Sequence, residues 1–296
     1  IFSVPDLIEI TICCRRDTRV AGAHSWQPLR KRSPYVPDIG FEYRFWTLVV
    51  GNGRLLNIEL RLPTAHCPFC CYVRQRLIMA PQLRIHVPEH PLIRHWLGVA
   101  RDVDTPDVLF RSAMIELGRW LTYEACRNWL PTVETQVETP LAPADATFIN
   151  PEVPVAIIPI LRAGLALMEG VQPLLPLASI YHVGLARNEE TLAAAWYLNK
   201  LPAQFAPETR ILIPEPMLAT GGTMMAVMAE LVARGADPAL VRVVSVVAAP
   251  AALQKLAIGY PALTIFSAMI DEALNDQGYI VPGLGDAGDR TFGTKG

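Results

Sequence analysis

One stretch of the chain shows apolar residues at helical spacing. Phe110, Met114, Leu117 and Leu121 are separated by four, three and four positions, which places them on one face of a helix. The Thr-Pro-Asp sequence at 105–107 predicts where this helix begins. Threonine can cap free backbone amides, proline suits the first helical position, and an acid suits the positive end of a helix.

Pro131 is predicted to end this helix, and residues 131–151, which are rich in Pro, Thr and Glu, are predicted to be a connection. From residue 153 onward, short apolar runs alternate with amphipathic segments. The apolar runs predict strands at Val153–Ile160, Ser179–Leu185, Arg210–Ile213, Val241–Val247 and Thr264–Ile270. The amphipathic segments predict helices at Ala163–Leu174, around Met224, Val227, Met228, Leu231 and Val232 up to Arg234-Gly235, and at Pro250–Ala257. Strands separated by single helices indicate an α/β fold with a mainly parallel sheet and helices on both faces.

The first 78 residues have a different composition and show no sustained helical or alternating period. They carry 11 Lys and Arg against 6 Asp and Glu, a balance of +5, whereas residues 79–296 carry 15 against 22, a balance of −7. Five of the six cysteines also precede Met79. We therefore divide the chain into an atypical extension, residues 1–78, and a main domain, residues 79–296.

Two hypotheses concern this extension. The His-Cys-Pro-Phe-Cys-Cys sequence at 66–71 could supply half of a zinc site, and the second ligand pair could only be Cys13-Cys14 or a distant histidine. Incidental cysteines are the favoured interpretation. The first methionine is Met79. Residues 1–78 are therefore expected to be upstream sequence read in frame, with the mature protein starting at Met79. An intact mass of the natural protein equal to that of the full chain would contradict this expectation.

Composition excludes several classes of protein. Hydrophobic residues make up 51% of the chain and charged residues 18%, which is incompatible with a disordered chain. No run of about 18 apolar residues predicts a membrane span, and the first residues lack the layout of a secretory signal. A single cysteine, Cys126, in residues 79–296 favours a reducing compartment, so a cytoplasmic location is expected.

The most informative segment is residues 211–223, with the sequence ILIPEPMLATGGT. A strand that ends at Pro214 is followed by a tight loop and by a helix that starts near Gly222. Such a turn directs several unpaired amides into one concavity at a positive helix end, which is a phosphate site. Thr220 and Thr223 add hydroxyl donors, and the carboxyl end of a parallel strand is where α/β sheets bind ligands.

Other interpretations of this loop are weaker. It is not a nucleotide triphosphate loop, because no lysine follows the second glycine, and it is not the dinucleotide fingerprint. An ordinary glycine turn explains Gly221 and Gly222 equally well, whereas Glu215 and the two threonines favour a ligand. Since a carboxylate cannot attract phosphate, Glu215 is expected to accept hydrogen bonds from neighbouring sugar hydroxyls.

At this point the chain resembles the uracil phosphoribosyltransferase family. The family's motif for phosphoribosyl pyrophosphate (PRPP) is typically Asp-Pro-Met-Leu-Ala-Thr-Gly-Gly, and this chain has Glu215 in place of the aspartate, after an unusual Pro214. The resemblance covers about residues 89–295. The other segments that carry it are His90–His95, residues 116–125, Pro159–Gly164, Gly184–Thr191 and, most specifically, Gly278–Asp289.

The resemblance implies a type I phosphoribosyltransferase fold with a C-terminal hood over the site, and the conversion of uracil and PRPP to UMP and diphosphate in pyrimidine salvage. The implied PRPP-binding residues are Arg162, Arg187, Glu215, Pro216, Met217, Leu218, Ala219, Thr220, Gly221, Gly222, Thr223 and Asp286. The implied uracil-binding residues are Ile280, Gly285, Asp286 and Ala287. Arg162, Arg187 and Asp286 are the implied catalytic residues.

The resemblance also implies the partners of the protein. Mg²⁺ is expected to be held mainly by PRPP and water, without direct protein ligands. A homo-oligomer is expected, GTP is an allosteric activator in some relatives, and neither nucleic acid nor a membrane is an expected partner.

Two alternatives stay open from the sequence. The enzyme could act on another base such as a purine, although Gly278–Asp289 matches the uracil enzymes. A non-catalytic RNA-binding regulator would need a basic stripe, and the balance of −7 over residues 79–296 argues against one.

Overall fold

A computed structural model describes residues 82–187 and 194–294, together with four strands in the preceding part of the chain. Contacts divide the chain into two compact units, residues 1–80 and 81–296. The strands of the first unit are β1 (Glu9–Thr11), β2 (Phe41–Val50), β3 (Arg54–Pro63) and β4 (Arg74–Arg76). Strands β2 and β3 pair antiparallel along ten residues each, and β1 pairs antiparallel with β4.

The apolar periodicity of the sequence does not predict the β2–β3 pair. A signal was present in the sequence, because the two strands are separated by Gly51-Asn52-Gly53, a composition typical of a hairpin connection. The Cys-rich segment 66–71 and the predicted start at Met79 lie outside the described residues.

The second unit contains all the helices of the described part of the chain. They are α1 (Pro91–Arg101), α2 (Asp107–Cys126), α3 (Leu165–Val171), α4 (Gly222–Ala233), α5 (Pro250–Gly259) and α6 (Ala287–Phe292). The strands are β5 (Arg84–His86), β6 (Thr132–Glu138), β7 (Pro143–Ile149), β8 (Val155–Ile157), β9 (Ile160–Leu161), β10 (Ser179–Ile180), β11 (Val183–Arg187), β12 (Ala194–Asn199), β13 (Arg210–Pro214), β14 (Met217–Leu218), β15 (Val241–Ala248), β16 (Thr264–Ile270), β17 (Ala273–Leu274) and β18 (Ile280–Val281). None of the helices described is both long and apolar enough to cross a membrane.

The central sheet has the strand order β10-β8-β13-β15-β16-β5, and β14 also pairs with β15. Each of these pairings is parallel. Alternate residues of one strand serve opposite faces: Leu212 of β13 belongs to the cluster with α1, α2 and α3, and Ile211 and Ile213 belong to the cluster with α4 and α5. The prediction of a mainly parallel sheet with helices on both faces is confirmed.

The predicted end of α2 and its predicted cap are wrong. The helix ends at Cys126 and not at Pro131, because residues 127–130 turn away before the proline. Its start at Asp107 is confirmed, but Thr105 does not cap it, since the Thr105 hydroxyl donates to the carbonyl of Val99 at 2.8 Å.

The predicted connection at 131–151 is also wrong, because β6 and β7 form an antiparallel hairpin there. Most of its residues are exposed, so neither strand shows the apolar alternation of a half-buried strand. The predicted strand Val153–Ile160 is divided in two. Strand β8 belongs to the central sheet, and after Pro159 the short β9 pairs with β11 in a separate three-stranded sheet with β12.

Helices α2 and α3 pack closely because glycines lie at their contact. A side-chain carbon on Gly170 of α3 would overlap the carbonyl of Ile115, and one on Gly118 of α2 would lie 2.6 Å from the carbonyl oxygen of Leu167. Both glycines are buried. Because the obstructing atoms belong to the backbone, the helices could accept a methyl group there only by moving apart.

We therefore expect Gly170→Ala to destabilise the protein by about 1–3 kcal/mol, the usual cost of overpacking a core. Gly98→Ala in α1 is the matched control, because no atom lies within 4 Å of the added carbon. Removing a glycine from a helix interior should stabilise it by up to about 1 kcal/mol. Urea unfolding of both variants measures the difference, and equal unfolding midpoints would contradict the close packing.

Candidate functional site

The loop after β13 is fixed by hydrogen bonds to the neighbouring strand β15. The carbonyl of Pro216 accepts bonds from the amides of Val246 and Val247 at 3.0 and 3.1 Å, and from the Ser245 hydroxyl at 3.1 Å. The carbonyl of Leu218 accepts from the amide of Ala249 at 2.8 Å. The loop is therefore held at the carboxyl end of the sheet before any ligand binds.

The same loop leads directly into the first turn of α4. Gly221 has φ +78°, and a side-chain carbon there would lie 3.0 Å from Cα of Ala252, so glycine is needed both for the turn and for the close approach. Among the described residues, no side chain caps α4, and the first amides of a helix have no partner inside the helix itself. Gly222 and Thr223 are exposed, so this positive helix end faces outward.

Glu215 is the first residue of this loop and is almost fully buried, with 9% of its surface exposed. Its backbone amide donates to the carbonyl of Val244 at 2.9 Å, which continues the register of the sheet. Burial raises the pKa of its carboxyl group to about 8, although a hydrogen bond from the amide of Met217 opposes the shift. The carboxyl group therefore carries a proton over much of the neutral range.

Arg162 lies on a turn that contacts the end of β13. A side-chain carbon on Gly164 of this turn would lie 2.6 Å from the carbonyl oxygen of Pro214, so the turn approaches the backbone just before Glu215. The Arg162 guanidinium forms an ion pair with Asp289 at 2.9 Å and remains 55% exposed. The hydroxyl of Thr294 and the Arg162 guanidinium hold the pKa of Asp289 below its usual value.

The predicted base-binding segment lies next to Arg162. Asp286 is exposed and caps α6, since its carboxylate accepts from the amide of Asp289 at 2.8 Å. One guanidinium nitrogen of Arg162 lies 4.0 Å from the position of a side-chain carbon on Gly288. Ile280 lies in β18, Gly285 has φ +78°, and Ala287 begins α6. The structure thus brings Arg162 and Asp286 together at one edge.

Arg187 is the last residue of β11, and its side chain lies outside the described residues. The backbone pairing of β11 with β9, in which Gly184 lies opposite Leu161, places its strand beside the turn that carries Arg162. The hydroxyl of Tyr197 in β12 donates to the carbonyl of Leu161 at 3.4 Å and thereby supports the same turn.

Three supporting residues were not predicted as part of the site. Asp271, Arg101 and Arg290 contact the backbone of the base-binding segment at Gly283 and Leu284. Nothing in the local sequence identifies Arg101, because it lies 182 residues before the carbonyl that it contacts. Arg290 lies six residues after the carbonyl of Leu284 and directly follows the predicted segment. Within the described ranges, no group of three or more His, Cys, Asp or Glu side chains is arranged to hold a metal ion.

Comparisons with known proteins agree in one family. The family model described as "Uracil phosphoribosyltransferase" matches residues 87–294. Uracil phosphoribosyltransferase of Nostoc sp. is 69% identical over 73% of this chain and 100% of its own length, and that of Nicotiana tabacum is 49% identical over 72% and 95%. The solved structure of the AQ2163 protein from Aquifex aeolicus is 38% identical with a TM-score of 0.64, and the match covers 70% of this chain and 97% of that protein.

The buried Glu215 predicts an unusual dependence of stability on pH. Its pKa is about 8 in the folded chain against 4.5 ordinarily, so the folded chain retains a proton that the unfolded chain releases between these values. The free energy of unfolding should therefore fall as the pH rises from about 4.5 to about 8. Glu215→Gln should lack this contribution. Urea unfolding of both proteins at about pH 5 and about pH 8 tests this prediction. An equal change in the free energy of unfolding between the two pH values for both proteins would contradict the shifted pKa.

Proposed function

The chain belongs to the uracil phosphoribosyltransferase family, and from this premise we propose how its residues bind and transform the two substrates. The protein is a pentosyltransferase that converts uracil and PRPP to UMP and diphosphate. The single observation that carries our assignment of residues is the position of Arg162, which lies beside Asp286 and beside the strand end that leads into the Thr-Gly loop.

The 5′-phosphate of PRPP binds at Thr220–Thr223. Uncapped amides at the start of α4 and the threonine hydroxyls supply donors, and the helix end supplies positive potential. The backbone from Glu215 to Ala219 shapes the wall of this cradle through its bonds to β15. Glu215 holds the ribose hydroxyls, and a protonated carboxyl group can both donate and accept at such a contact.

Arg162 and Arg187 bind the diphosphate of PRPP. A guanidinium group suits this leaving group because its fixed fork binds phosphate oxygens bidentately. The bond between ribose C1 and diphosphate loosens before uracil N1 closes, which leaves cationic character on the ribose. Catalysis then consists mainly of positioning both substrates and stabilising the departing charge.

Uracil binds through the backbone of Ile280 and of Gly285-Asp286-Ala287. Its edge presents an acceptor, a donor and an acceptor, which backbone amides and carbonyls can match when side chains stay clear. Cytosine presents different groups at this edge and would leave buried polar groups unpaired. Such a mismatch supports discrimination of about 10⁴–10⁵.

Mg²⁺ fits this site as an ion that arrives with PRPP. The described residues offer no cage of ligands, but the exposed carboxylate of Asp286 is a hard oxygen donor close to Arg162. When bound, the ion would neutralise charge on the diphosphate. The role of the protein is to place Asp286 beside the leaving group. The amide of Asp289 orients the Asp286 carboxylate.

Further proposals concern the assembly and the location of the protein. We propose a homo-oligomer, with GTP as an allosteric activator, on family resemblance. The single cysteine of residues 79–296 supports a cytoplasmic location. Compartments differ among relatives, since the one from Arabidopsis thaliana, 50% identical over 72% of each chain, is named chloroplastic.

A base-competition assay tests the proposed substrates. The full chain is incubated with PRPP, Mg²⁺ and each of uracil, cytosine, adenine, guanine and hypoxanthine, and the nucleotides formed are separated. We expect UMP to be the main product. A folded protein that binds PRPP and forms no UMP, or that forms a purine nucleotide instead, would contradict the proposal.

Arg162→Lys should lower kcat by about a hundredfold, because an ammonium group keeps the charge but loses the bidentate contact with the diphosphate. Arg127→Lys is a matched control. Arg127 is similarly exposed and forms an ion pair with Glu124 at the same distance of 2.9 Å, but it lies at the end of α2. Steady-state kinetics of both variants check the prediction, and similar kcat values for the two would refute the role of Arg162.

A further inference from the structure

A buried ion pair holds one residue of the base-binding segment by both of its backbone groups. The two carboxylate oxygens of Asp271 have separate partners: one accepts from the Arg101 guanidinium at 2.5 Å, and the other accepts from the amide of Gly283 at 2.9 Å. A second nitrogen of the same guanidinium donates to the carbonyl of Gly283 at 3.3 Å. Asp271 is 4% exposed, so these contacts are shielded from water.

These three contacts form a clamp on Gly283, and the position of Gly283 explains why the clamp matters for the site. Gly283 lies two residues before Gly285, and its φ of +61° together with the nearby carbonyl of Ile280 leaves no room for a side chain. With no side chain to pack, the conformation of this residue depends on what its backbone contacts. The clamp supplies those contacts, and Asp271 is itself fixed because its amide donates to the carbonyl of Ala248 at 2.8 Å.

A second arginine holds the next residue. The Arg290 guanidinium donates to the carbonyl of Leu284 at 2.8 Å and to the carbonyls of Ala100 and Asp102 at 2.6 and 2.7 Å. It also lies over the ring of Phe110 at 4.2 Å. Two consecutive carbonyls of the segment are thus held by arginines. Arg101 is the last residue of α1, and Arg290 binds the carbonyls on either side of it.

We propose that Arg101 and Asp271 are positioning residues that set the affinity and the base selectivity of the uracil site. They do not reach the reacting atoms. They act by fixing the peptide of Gly283, and through it the amides and carbonyls at Gly285–Ala287. This inference rests on the proposed function, since it concerns the site that we assign to uracil.

The decisive variants are Asp271→Asn and Arg101→Gln. Asparagine has the shape of aspartate but presents an amide donor on one side, so it cannot accept from both Arg101 and Gly283. We expect the KM for uracil to rise by about tenfold to a hundredfold, the effect of losing one charge-assisted hydrogen bond, with a loss of discrimination against cytosine. The KM for PRPP should change by less than about threefold, since the cradle at α4 is supported by β15 instead.

Two further variants separate positioning from general damage. Arg101→Lys keeps the charge beside Asp271 but loses the fork that spans both partners, so it should fall between wild type and Arg101→Gln in its KM for uracil. Arg94→Gln on the same helix removes an exposed ion pair with Glu89 and should match wild type. A fall in kcat with both KM values unchanged would contradict the proposal.

Hydrogen exchange gives a readout that does not depend on activity. In Asp271→Asn, the amides of Gly283–Gly285 should exchange at least about tenfold faster than in wild type, while those of α4 should be unchanged. Unchanged exchange at Gly283–Gly285 overturns the inference even if the enzyme proves inactive. If Asp271→Asn exchanges faster there but the wild-type protein forms no UMP, the proposed function is refuted and the clamp is retained.

Discussion

Burial of the parallel sheet on both faces determines where chemistry can occur in this molecule. Because helices cover the two faces, polar groups can reach solvent only at the edges where strands end. Three segments meet at the carboxyl edge of the sheet: the turn with Arg162, the loop from Glu215 to Thr223, and the segment Gly278–Asp289 with Asp286. Each is fixed through its backbone, and the sheet therefore sets the distances among groups that are far apart in sequence.

The least ordinary feature of this edge is a carboxyl group for which the described residues supply no charged partner. Glu215 receives one long hydrogen bond from Met217 and is otherwise enclosed. Burying a carboxyl group without partners for its oxygens costs free energy of folding, and this chain nevertheless has an acid, Glu215, at this position. A group kept at such a cost is typical of a position where a ligand supplies the missing contacts.

The sequence predicts most of the central sheet because its strands are continuous apolar runs. Strand β16 has the predicted bounds, and β15 and α4 agree closely with theirs. The hairpin at 132–149 could not be predicted in this way, since both of its faces are mostly exposed and no apolar alternation marks it. The Thr-Gly loop and the segment Gly278–Asp289 were identifiable from local motifs. The clamp on Gly283 was not, because Arg101 precedes it by 182 residues and an isolated arginine has no distinguishing pattern.

Arg290 links Leu284 to the end of α1, and this link also bears on the order in which contacts form during synthesis. Domains generally fold as units during synthesis, so contacts between distant parts of one domain must wait for its last residues. The acceptors for Arg290 on Ala100 and Asp102 are translated early, whereas Arg290 itself follows about 190 residues later. The strands of the central sheet and residues 215–223 are thus translated before Gly278–Asp289. Arg290 can therefore join Leu284 to the end of α1 only after nearly the whole domain has been synthesised.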